Sequence, residues 1–326
     1  MHLFRHYEGL PAEATGAAVA IGNFDGVHRG HRSVIERAGA LARAQGIPLG
    51  ILTFEPHPRQ VFQPLLPPFR LSSLRTKAHL LEGLGVDCLY ALHFDQGFAQ
   101  ITADSFARDV LGRGLRARHV IVGEDFVFGH RRQGNVALLR GLGAEVGFQV
   151  TCLPPVTDDS GAVIASRRIR EMLAAGEPGE ARALLGRFWE LEGRVEHGDQ
   201  IGRKLGFPTA NVALGEHQRP KPGIYAVRAG IDEGAATRWI DGVASLGWRP
   251  TFGGQDLRFE VHLFDFTGDL YGRHLRVQLI AYLRAELKFD GVEPLIVQMH
   301  QDAANARAAL AEVDAAASME NSAART

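Results

Sequence analysis

The sequence predicts two domains of different fold class: an α/β domain with a doubly wound parallel sheet, then a small antiparallel β-barrel with a C-terminal helix. The chain has 326 residues, of which 45% are hydrophobic, enough for two domains of ordinary size. Its first half alternates short apolar runs with amphipathic segments, as parallel sheets do. From Phe188 onward, short strands separated by Gly and Asp turns dominate, which is typical of a small barrel.

Composition narrows the range of partners. A formal net charge of −1 and a pI near 6.9 provide no field that would gather nucleic acid or a membrane surface. No stretch reaches the ~18 apolar residues of a membrane span, and the N-terminus lacks a secretory h-region. The two cysteines have no partner at a metal-ligand spacing, as expected in a reduced compartment. We therefore expect a cytoplasmic protein with small-molecule partners, whose oligomeric state the sequence does not define.

The first motif follows an apolar strand over residues 17–21. A loop with three glycines and two histidines comes next, and an amphipathic helix is expected from Arg32 onward. Glycines let the backbone approach an anion, and a helix N-terminus offers N–H groups and a positive dipole end. His28 and His31 lie three residues apart, so both imidazoles face the same ligand.

Two histidines at this spacing alone fit a metal, a phosphate or a plain surface pair. The glycines and the change from strand to helix favour an anion. The pattern Gly-x-Phe-Asp-Gly-x-His-x-Gly-His resembles the HxGH signature of nucleotidyltransferases, in the form found in FAD synthetases. The resemblance implies a Rossmann-like fold, catalytic roles for His28 and His31, and an ATP phosphate site at Gly22, Phe24, Asp25, Gly26, His28, Gly30 and His31.

Further strands are expected at 48–54, 88–94 and 119–123, with helices at 71–85, capped by Ser72 or Ser73, and at about 102–111. The loop after the first of these strands leaves from the sheet edge that carries the glycine motif, so His57 belongs near the site or is a solvated loop residue. The segment after residue 123 resembles the family's Gly-x-Asp-Phe-x-Phe-Gly sequence. The expected FMN-binding residues are Glu55, His57, Asp125, Phe126 and Phe128.

A second anion site is expected at a helix that begins near Ser166 and stops at Gly176. Arginines crowd its first turn, which is unfavourable at a positive dipole end unless an anion binds, although a solvated face is the alternative. The segment resembles the family signature Ser-Ser-Thr-x-x-Arg, with Ala165 and Arg167 in place of the first serine and the threonine. The expected triphosphate contacts are Ser166, Arg167 and Arg170.

The domain boundary is expected where the pattern changes. We expect an adenylyltransferase domain over 1–186, a barrel with its helix over 187–313 and a disordered Ala- and Ser-rich tail over 314–326. The expected barrel strands span 189–196, 224–229, 239–246, 258–266 and 275–283, and the last helix spans roughly 292–313.

The second motif, residues 198–211, lacks the Gly-Lys-Ser/Thr of a Walker loop, and alone it favours a glycine-rich hairpin. It matches the riboflavin kinase signature Gly-x-x-x-Gly-Arg-x-Leu-Gly-Phe-Pro-Thr-Ala-Asn. The resemblance implies a phosphate cradle at Gly202, Arg203, Lys204, Gly206 and Pro208, with Thr209 and Asn211 as oxygen ligands for Mg²⁺.

Alternation along 258–266 puts Glu260 and His262 on one strand face, opposite Phe259, Val261 and Leu263. By resemblance Glu260 is the kinase base. Ser245 stands at a position where the family has Asn.

The two signature sets occur in the order seen in bacterial bifunctional riboflavin kinase/FMN adenylyltransferases. That resemblance implies phosphorylation of riboflavin to FMN by ATP and Mg²⁺ in the barrel. In the first domain, it implies adenylylation of FMN by ATP to FAD, with release of pyrophosphate. A cytidylyltransferase is one alternative, and a non-catalytic flavin- or nucleotide-binding sensor is the other. The full kinase signature argues against the first, and the presence of every expected catalytic residue argues against the second.

Overall fold

The computed structural model describes residues 1–198, 201–251 and 254–323. The chain forms two compact units. Unit 1 comprises Met1–Pro67 and Lys77–Ala165, and unit 2 comprises Pro68–Thr76 together with everything from Ser166 onward. The structural division therefore follows Ala165, whereas the functional boundary at residue 186 stays a prediction. No helix in the described ranges is both long and apolar enough to cross a membrane.

Unit 1 is built on a six-stranded parallel sheet with the order β1-β4-β3-β2-β5-β6, which confirms the doubly wound prediction. The strands are β1 His2–Phe4, β2 Ala18–Ile21, β3 Leu49–Glu55, β4 Cys88–His93, β5 His119–Gly123 and β6 Gln149–Leu153. The helices are α1 Arg29–Gln45, α2 Pro58–Phe62, α3 Leu74–Glu82, α4 Ala103–Ser105 and α5 Val136–Val146. α3 begins in the segment assigned to unit 2, and α4 continues as a π-helix over Phe106–Gly114.

The apolar runs that predicted these strands are buried on both faces. All four residues of β2 are buried, as expected of a central strand in a parallel sheet covered on both sides. β2 pairs with β3 on one side and with β5 on the other. The chain leaves β2 toward β3 and leaves β5 toward β6, so the direction of winding reverses between β2 and β5. Ligands of open α/β sheets bind at such a switch point.

Unit 2 contains a closed antiparallel barrel in the order β10-β11-β8-β7-β12-β9, which confirms the barrel prediction. Its strands are β7 Trp189–Glu196, β8 Ala210–Val212, β9 Gly223–Ile231, β10 Ile240–Thr251, β11 Gly254–Leu263 and β12 His274–Arg284. Its helices are α6 Ser166–Ala175, α7 Pro178–Leu185, α8 Ile201–Lys204 and α9 Val292–Ala323. Trp189 is fully buried, and its indole N–H donates to the carbonyl oxygen of Leu71 at 2.8 Å.

The C-terminal helix α9 packs on the barrel through Ala306 and Leu310, which share one hydrophobic cluster with Ala226 and Ile280. It continues to Ala323, so the expectation of a disordered tail from residue 314 is wrong for 314–323, and residues 324–326 lie outside the described part. The extension has two physical reasons. Alanine has the highest helix propensity, and Asp314 accepts a 2.6 Å hydrogen bond from Arg228 on β9.

Candidate active sites

The glycine-rich loop of unit 1 lies at the switch point, because it follows β2 directly. α1 begins at Arg29, earlier than the expected Arg32, since His28 itself is the N-cap. The Nδ1 atom of His28 accepts from the backbone N–H of His31 at 3.3 Å. An imidazole here takes the place of the usual Ser, Thr, Asp or Asn cap, so the helix starts within the glycine motif rather than after it.

The two histidines form one stacked pair. Their ring centroids are 3.6 Å apart and their planes differ by 18°. Phe24 packs edge-on against His31 at 5.3 Å. Since Nδ1 of His28 accepts a hydrogen bond, the neutral ring carries its proton on Nε2, which can donate to a phosphate oxygen. A side chain at Gly30 would meet the ring of His28 at 3.2 Å, so this glycine leaves room for the pair.

The loop between β2 and α1 has a strained backbone. Phe24 and Val27 adopt φ values of 47° and 42°, and Gly26 has φ 86°. Left-handed conformations cost a residue with a side chain roughly 1–2 kcal/mol, and a β-branched valine is among the least suited. Such strain persists only where surrounding contacts hold it, and it clusters at functional sites.

The neighbouring strand ends carry the expected FMN-binding residues. Glu55 ends β3, and Asp125 and Phe126 follow β5, so these residues lie on either side of the β2 loop. The Phe126 and Phe128 rings stack at 5.4 Å. Phe128 is only 7% exposed, so it supports Phe126 from within the core.

His57 has a structural role that neither sequence interpretation foresaw. Its Nδ1 accepts from the backbone N–H of Arg59 at 3.1 Å, and its own N–H donates to Gln60. These two bonds form a capping box at the start of α2. His57 is 8% exposed and is not a solvated loop residue.

The second expected anion site lies on α6, in unit 2. The helix begins at Ser166 itself. Arg170 donates from Nε to the carbonyl of Phe69 at 2.8 Å and lies over that ring, so its side chain is partly committed to the fold. Arg167 is 82% exposed, with Glu171 at 3.7 Å one turn away. The expected triphosphate contacts of α6 stay a prediction.

Sequence reasoning missed one buried residue that contacts the glycine-rich loop. Lys77 on α3 is fully buried, and its ammonium group donates to the carbonyl of Asn23 in the strained loop at 2.8 Å. The signal was present as a lysine on the apolar face of an amphipathic segment. Lysine is almost never fully buried unless it is paired, so a functional role was open to inference.

In unit 2, the glycines of the second motif, residues 198–211, lie where the backbone turns tightly. A methyl group at Gly202 would lie 2.4 Å from the carbonyl oxygen of Phe207 and 3.4 Å from the hydroxyl of Thr209. At Gly198 it would meet the amide nitrogen of Asn211 at 2.2 Å. The short helix α8 lies within the segment for which a glycine-rich hairpin was the alternative expectation. Gly206 has φ 86°. The side chain of Lys204 lies outside the described part.

The expected kinase residues share one row across three strands. Glu260 on β11 is the register partner of Asn211 on β8 and of Ser245 on β10. Directly opposed residues of antiparallel strands present their side chains on the same face. Phe259 and Val261 are buried in the barrel interior while Glu260 is not, which confirms the predicted alternation.

Thr209 and Asn211 have the donor chemistry of a site for a hard divalent cation. Thr209 hydroxyl and Asn211 amide oxygens are the ligand types that Mg²⁺ prefers together with substrate phosphates and water. Among the residues that the structure describes, no cluster of three or more His, Cys, Asp or Glu side chains could hold a metal ion. A hydroxyl and an amide oxygen suit a cation that also takes ligands from a nucleotide.

Two histidines in unit 2 were not predicted as site residues. His262 bonds through Nδ1 to the carbonyl oxygen of Pro208 at 2.9 Å. The Phe207 ring packs against His262 on β11 at 5.2 Å and against His300 on α9 at 4.9 Å. These contacts hold the turn that precedes Thr209.

Fold and sites together define a class: a nucleotidyltransferase of the HxGH type joined to a kinase barrel. Comparison with known proteins agrees. The chain matches the family model of FAD synthetase over residues 10–168 and that of riboflavin kinase over residues 185–310. The bifunctional riboflavin kinase/FMN adenylyltransferase of Escherichia coli K12 is 40% identical over 94% of this chain and 97% of its own length. The protein of that description from Haemophilus influenzae is 38% identical over 94% of this chain and 99% of its own length.

A solved structure from Streptococcus pneumoniae, titled a macrolide-efflux protein, has 31% identity and a TM-score of 0.80, covering 92% of this chain and 96% of that one. The similarity extends over both units. The chain belongs to the family of bifunctional riboflavin kinase/FMN adenylyltransferases.

Proposed function

We propose that unit 2 transfers the γ-phosphoryl group of ATP to the 5′-hydroxyl of riboflavin, giving FMN. Unit 1 then joins FMN to the adenylyl group of a second ATP, giving FAD and pyrophosphate. One feature of each unit supports the proposal. The stacked pair of His28 and His31 lies at the switch point of the sheet, and Glu260 lies in register with Asn211 on the barrel.

In the adenylyl transfer, an FMN phosphate oxygen attacks the α-phosphorus of ATP, and the bond between that phosphorus and the bridging oxygen of pyrophosphate breaks. The nucleophile is already anionic, so no enzyme nucleophile or base is needed. His28 and the N-terminal N–H groups of α1 donate hydrogen bonds to the triphosphate. Fixed donors around the leaving pyrophosphate supply orientation and charge stabilisation.

In the phosphoryl transfer, Glu260 accepts the proton of the riboflavin 5′-hydroxyl as the new O–P bond forms and the β–γ bridging bond breaks. Thr209 and Asn211 would hold Mg²⁺, which neutralises phosphate charge when bound. The tight turn from Gly202 to Phe207, with Arg203, cradles the phosphates. Close approach of backbone to ligand is the reason for glycine there.

The α6 residues are assigned to the triphosphate of the adenylyl reaction. A helix start with arginines at positions 167, 168 and 170 and no acidic residue in its first turn supports an anionic ligand. Exposure of Arg167 fits a side chain that reaches for a substrate. Arg170, which bonds Phe69, would contribute mainly by positioning this helix start.

The near-neutral net charge and the character of both sites support small-molecule partners. The free cysteines Cys88 and Cys152 support a reduced, cytoplasmic location.

The test is incubation of the full chain with riboflavin, ATP and Mg²⁺, followed by chromatographic separation of the flavins. FMN appears first and FAD follows. Unchanged riboflavin would contradict the kinase assignment, and FMN that accumulates without FAD would contradict the adenylyltransferase assignment.

A further inference from the structure

We propose that Lys77 and Thr53 are positioning residues of the adenylyltransferase site, which clamp the carbonyl oxygen of Asn23 and thereby fix the strained phosphate loop. The inference rests on the proposed function of unit 1. It assigns a role to two buried side chains that belong to neither sequence motif.

The clamp is a closed set of three hydrogen bonds. The ammonium group of Lys77 donates to the carbonyl oxygen of Asn23 at 2.8 Å and to the hydroxyl oxygen of Thr53 at 3.3 Å. The Thr53 hydroxyl itself donates to the same carbonyl oxygen at 3.1 Å. Asn23 therefore accepts two bonds from beneath the loop, one of them from a charged donor.

Both clamping side chains are inaccessible to substrate. Lys77 and Thr53 each have 0% of their surface exposed. A buried ammonium group is costly unless it is hydrogen-bonded and faces a negative charge. Here the carboxylate of Glu55 lies 3.9 Å from it. Since Lys77 cannot touch a ligand, it acts through the backbone of Asn23 and through Glu55.

The loop above the clamp needs support. Asn23 lies directly before Phe24, the first of two residues with side chains at positive φ, and Val27, the second, precedes the helix cap His28. Strain of this kind is retained only when neighbouring contacts determine the conformation. A loop released at Asn23 can relax, and the donors around His28 and the start of α1 then no longer meet the triphosphate in the transition state.

Thr53 provides a matched pair of variants. Thr53→Val keeps the shape and removes the hydroxyl, whereas Thr53→Ser keeps the hydroxyl and removes a buried methyl group. We expect Thr53→Val to lower kcat/KM for ATP in FAD synthesis by about tenfold, the effect of one hydrogen bond, with KM for FMN unchanged. Thr53→Ser should retain nearly full activity despite lower thermal stability. Riboflavin kinase turnover of the same protein is the internal control and should not change.

A second pair of variants tests Lys77, the charged residue of the clamp. It keeps the inference testable if Thr53→Val also loses kinase turnover through misfolding. Lys77→Gln retains an N–H donor toward Asn23, and Lys77→Met retains only the bulk. FAD synthesis should be at least about tenfold faster in the Gln variant than in the Met variant. Because Lys77 also faces Glu55, both variants should raise KM for FMN.

The outcomes separate this inference from the proposed function. Wild-type protein that makes no FAD from FMN and ATP would overturn both. An active wild type, with Thr53→Val as active as Thr53→Ser or with activity that follows thermal stability across the series, would overturn the clamp alone. Equal FAD synthesis by Lys77→Gln and Lys77→Met would do the same.

Discussion

At the second motif, the surrounding backbone leaves no space for a side chain at position 202, which is glycine. Any side chain there would press on the carbonyl oxygen of Phe207 at 2.4 Å, which is backbone and cannot swing away. The turn from Gly202 to Phe207 would have to open. Thr209 lies two residues after that turn, so the proposed phosphate cradle and the proposed metal ligand would move together.

We therefore expect Gly202→Ala to lower kcat/KM for ATP in the kinase reaction by at least about tenfold, while FAD synthesis from FMN stays unchanged. The control is Gly179→Ala on α7, where a methyl group would meet nothing within 4 Å. That variant should keep both activities and gain up to ~1 kcal/mol of stability. Full kinase activity in Gly202→Ala would show that the turn does not carry the phosphates.

A buried carboxyl group gives the folded protein a specific pH dependence. Glu192 on β7 is 8% exposed, and one of its oxygens accepts a hydrogen bond from the Ser73 hydroxyl. Burial raises the pKa of Glu192 above its ordinary value of 4.5, and Asp232 raises it further. Ser73, Arg75 and His274 lower that pKa, but burial outweighs them.

The folded state thus binds this proton more tightly than the unfolded chain does. The contribution of Glu192 to the free energy of unfolding is lost as the pH rises from 4.5 through the folded pKa. Glu192→Gln removes this dependence, so the variant should gain stability relative to wild type as pH increases from about 4 to about 8. Urea unfolding at several pH values measures the free energy of unfolding of both proteins. Glu196→Gln, at an exposed position of β7, is the control. Parallel pH profiles for wild type and Glu192→Gln would contradict the assignment.

Among the elements, the start of α6 carries the proposed triphosphate contacts. Arg167 is exposed and its partner Glu171 lies one turn along the helix, a pair worth less than about 0.5 kcal/mol. Its charge therefore remains available to a phosphate, where a family threonine would supply a hydroxyl.

Arg167→Ala should raise KM for ATP in FAD synthesis severalfold, with no change in the kinase reaction. Glu171→Gln removes the intrahelical partner and keeps the cation, so it should leave the ATP dependence unaltered. If Arg167→Ala has the same ATP dependence as wild type, this arginine is a solvated surface residue.

Elements with a strong periodic signal were predicted well. Strand β5 at His119–Gly123 and strand β7 at Trp189–Glu196 have the expected bounds, because uninterrupted apolar or alternating runs define them. The π-helix over Phe106–Gly114 was expected to be an ordinary helix, since periodicity does not distinguish the two over so few turns. The short strand β8 carries Asn211 but is too brief to show a pattern.

At the scale of the whole molecule, the two units follow the predicted order, but the chain crosses from one unit to the other more than once. Residues Pro68–Thr76 belong with the barrel unit although they precede most of unit 1. Two hydrogen bonds hold this segment there. The Trp189 indole donates to the carbonyl oxygen of Leu71, and the Ser73 hydroxyl donates to the carboxylate of Glu192. Such long-range hydrogen bonds leave no local signal in the sequence. For Lys77 the sequence showed a lysine on the apolar face of a helix, but not its contact with Asn23. The site motifs could be recognised in the sequence because their glycines and functional residues lie at fixed spacings within short continuous segments.

The central claim is that one chain carries two separate active sites. It is tested most directly by supplying the variants Glu260→Gln and His31→Ala with riboflavin and ATP, and then with FMN and ATP, and separating the flavins. Glu260→Gln should form FMN about 10² to 10⁴ times more slowly, the usual effect of losing a general base, and should still convert FMN to FAD. His31→Ala should make FMN and fail to make FAD. Loss of both reactions in either variant, with circular dichroism showing a folded protein, would contradict the account.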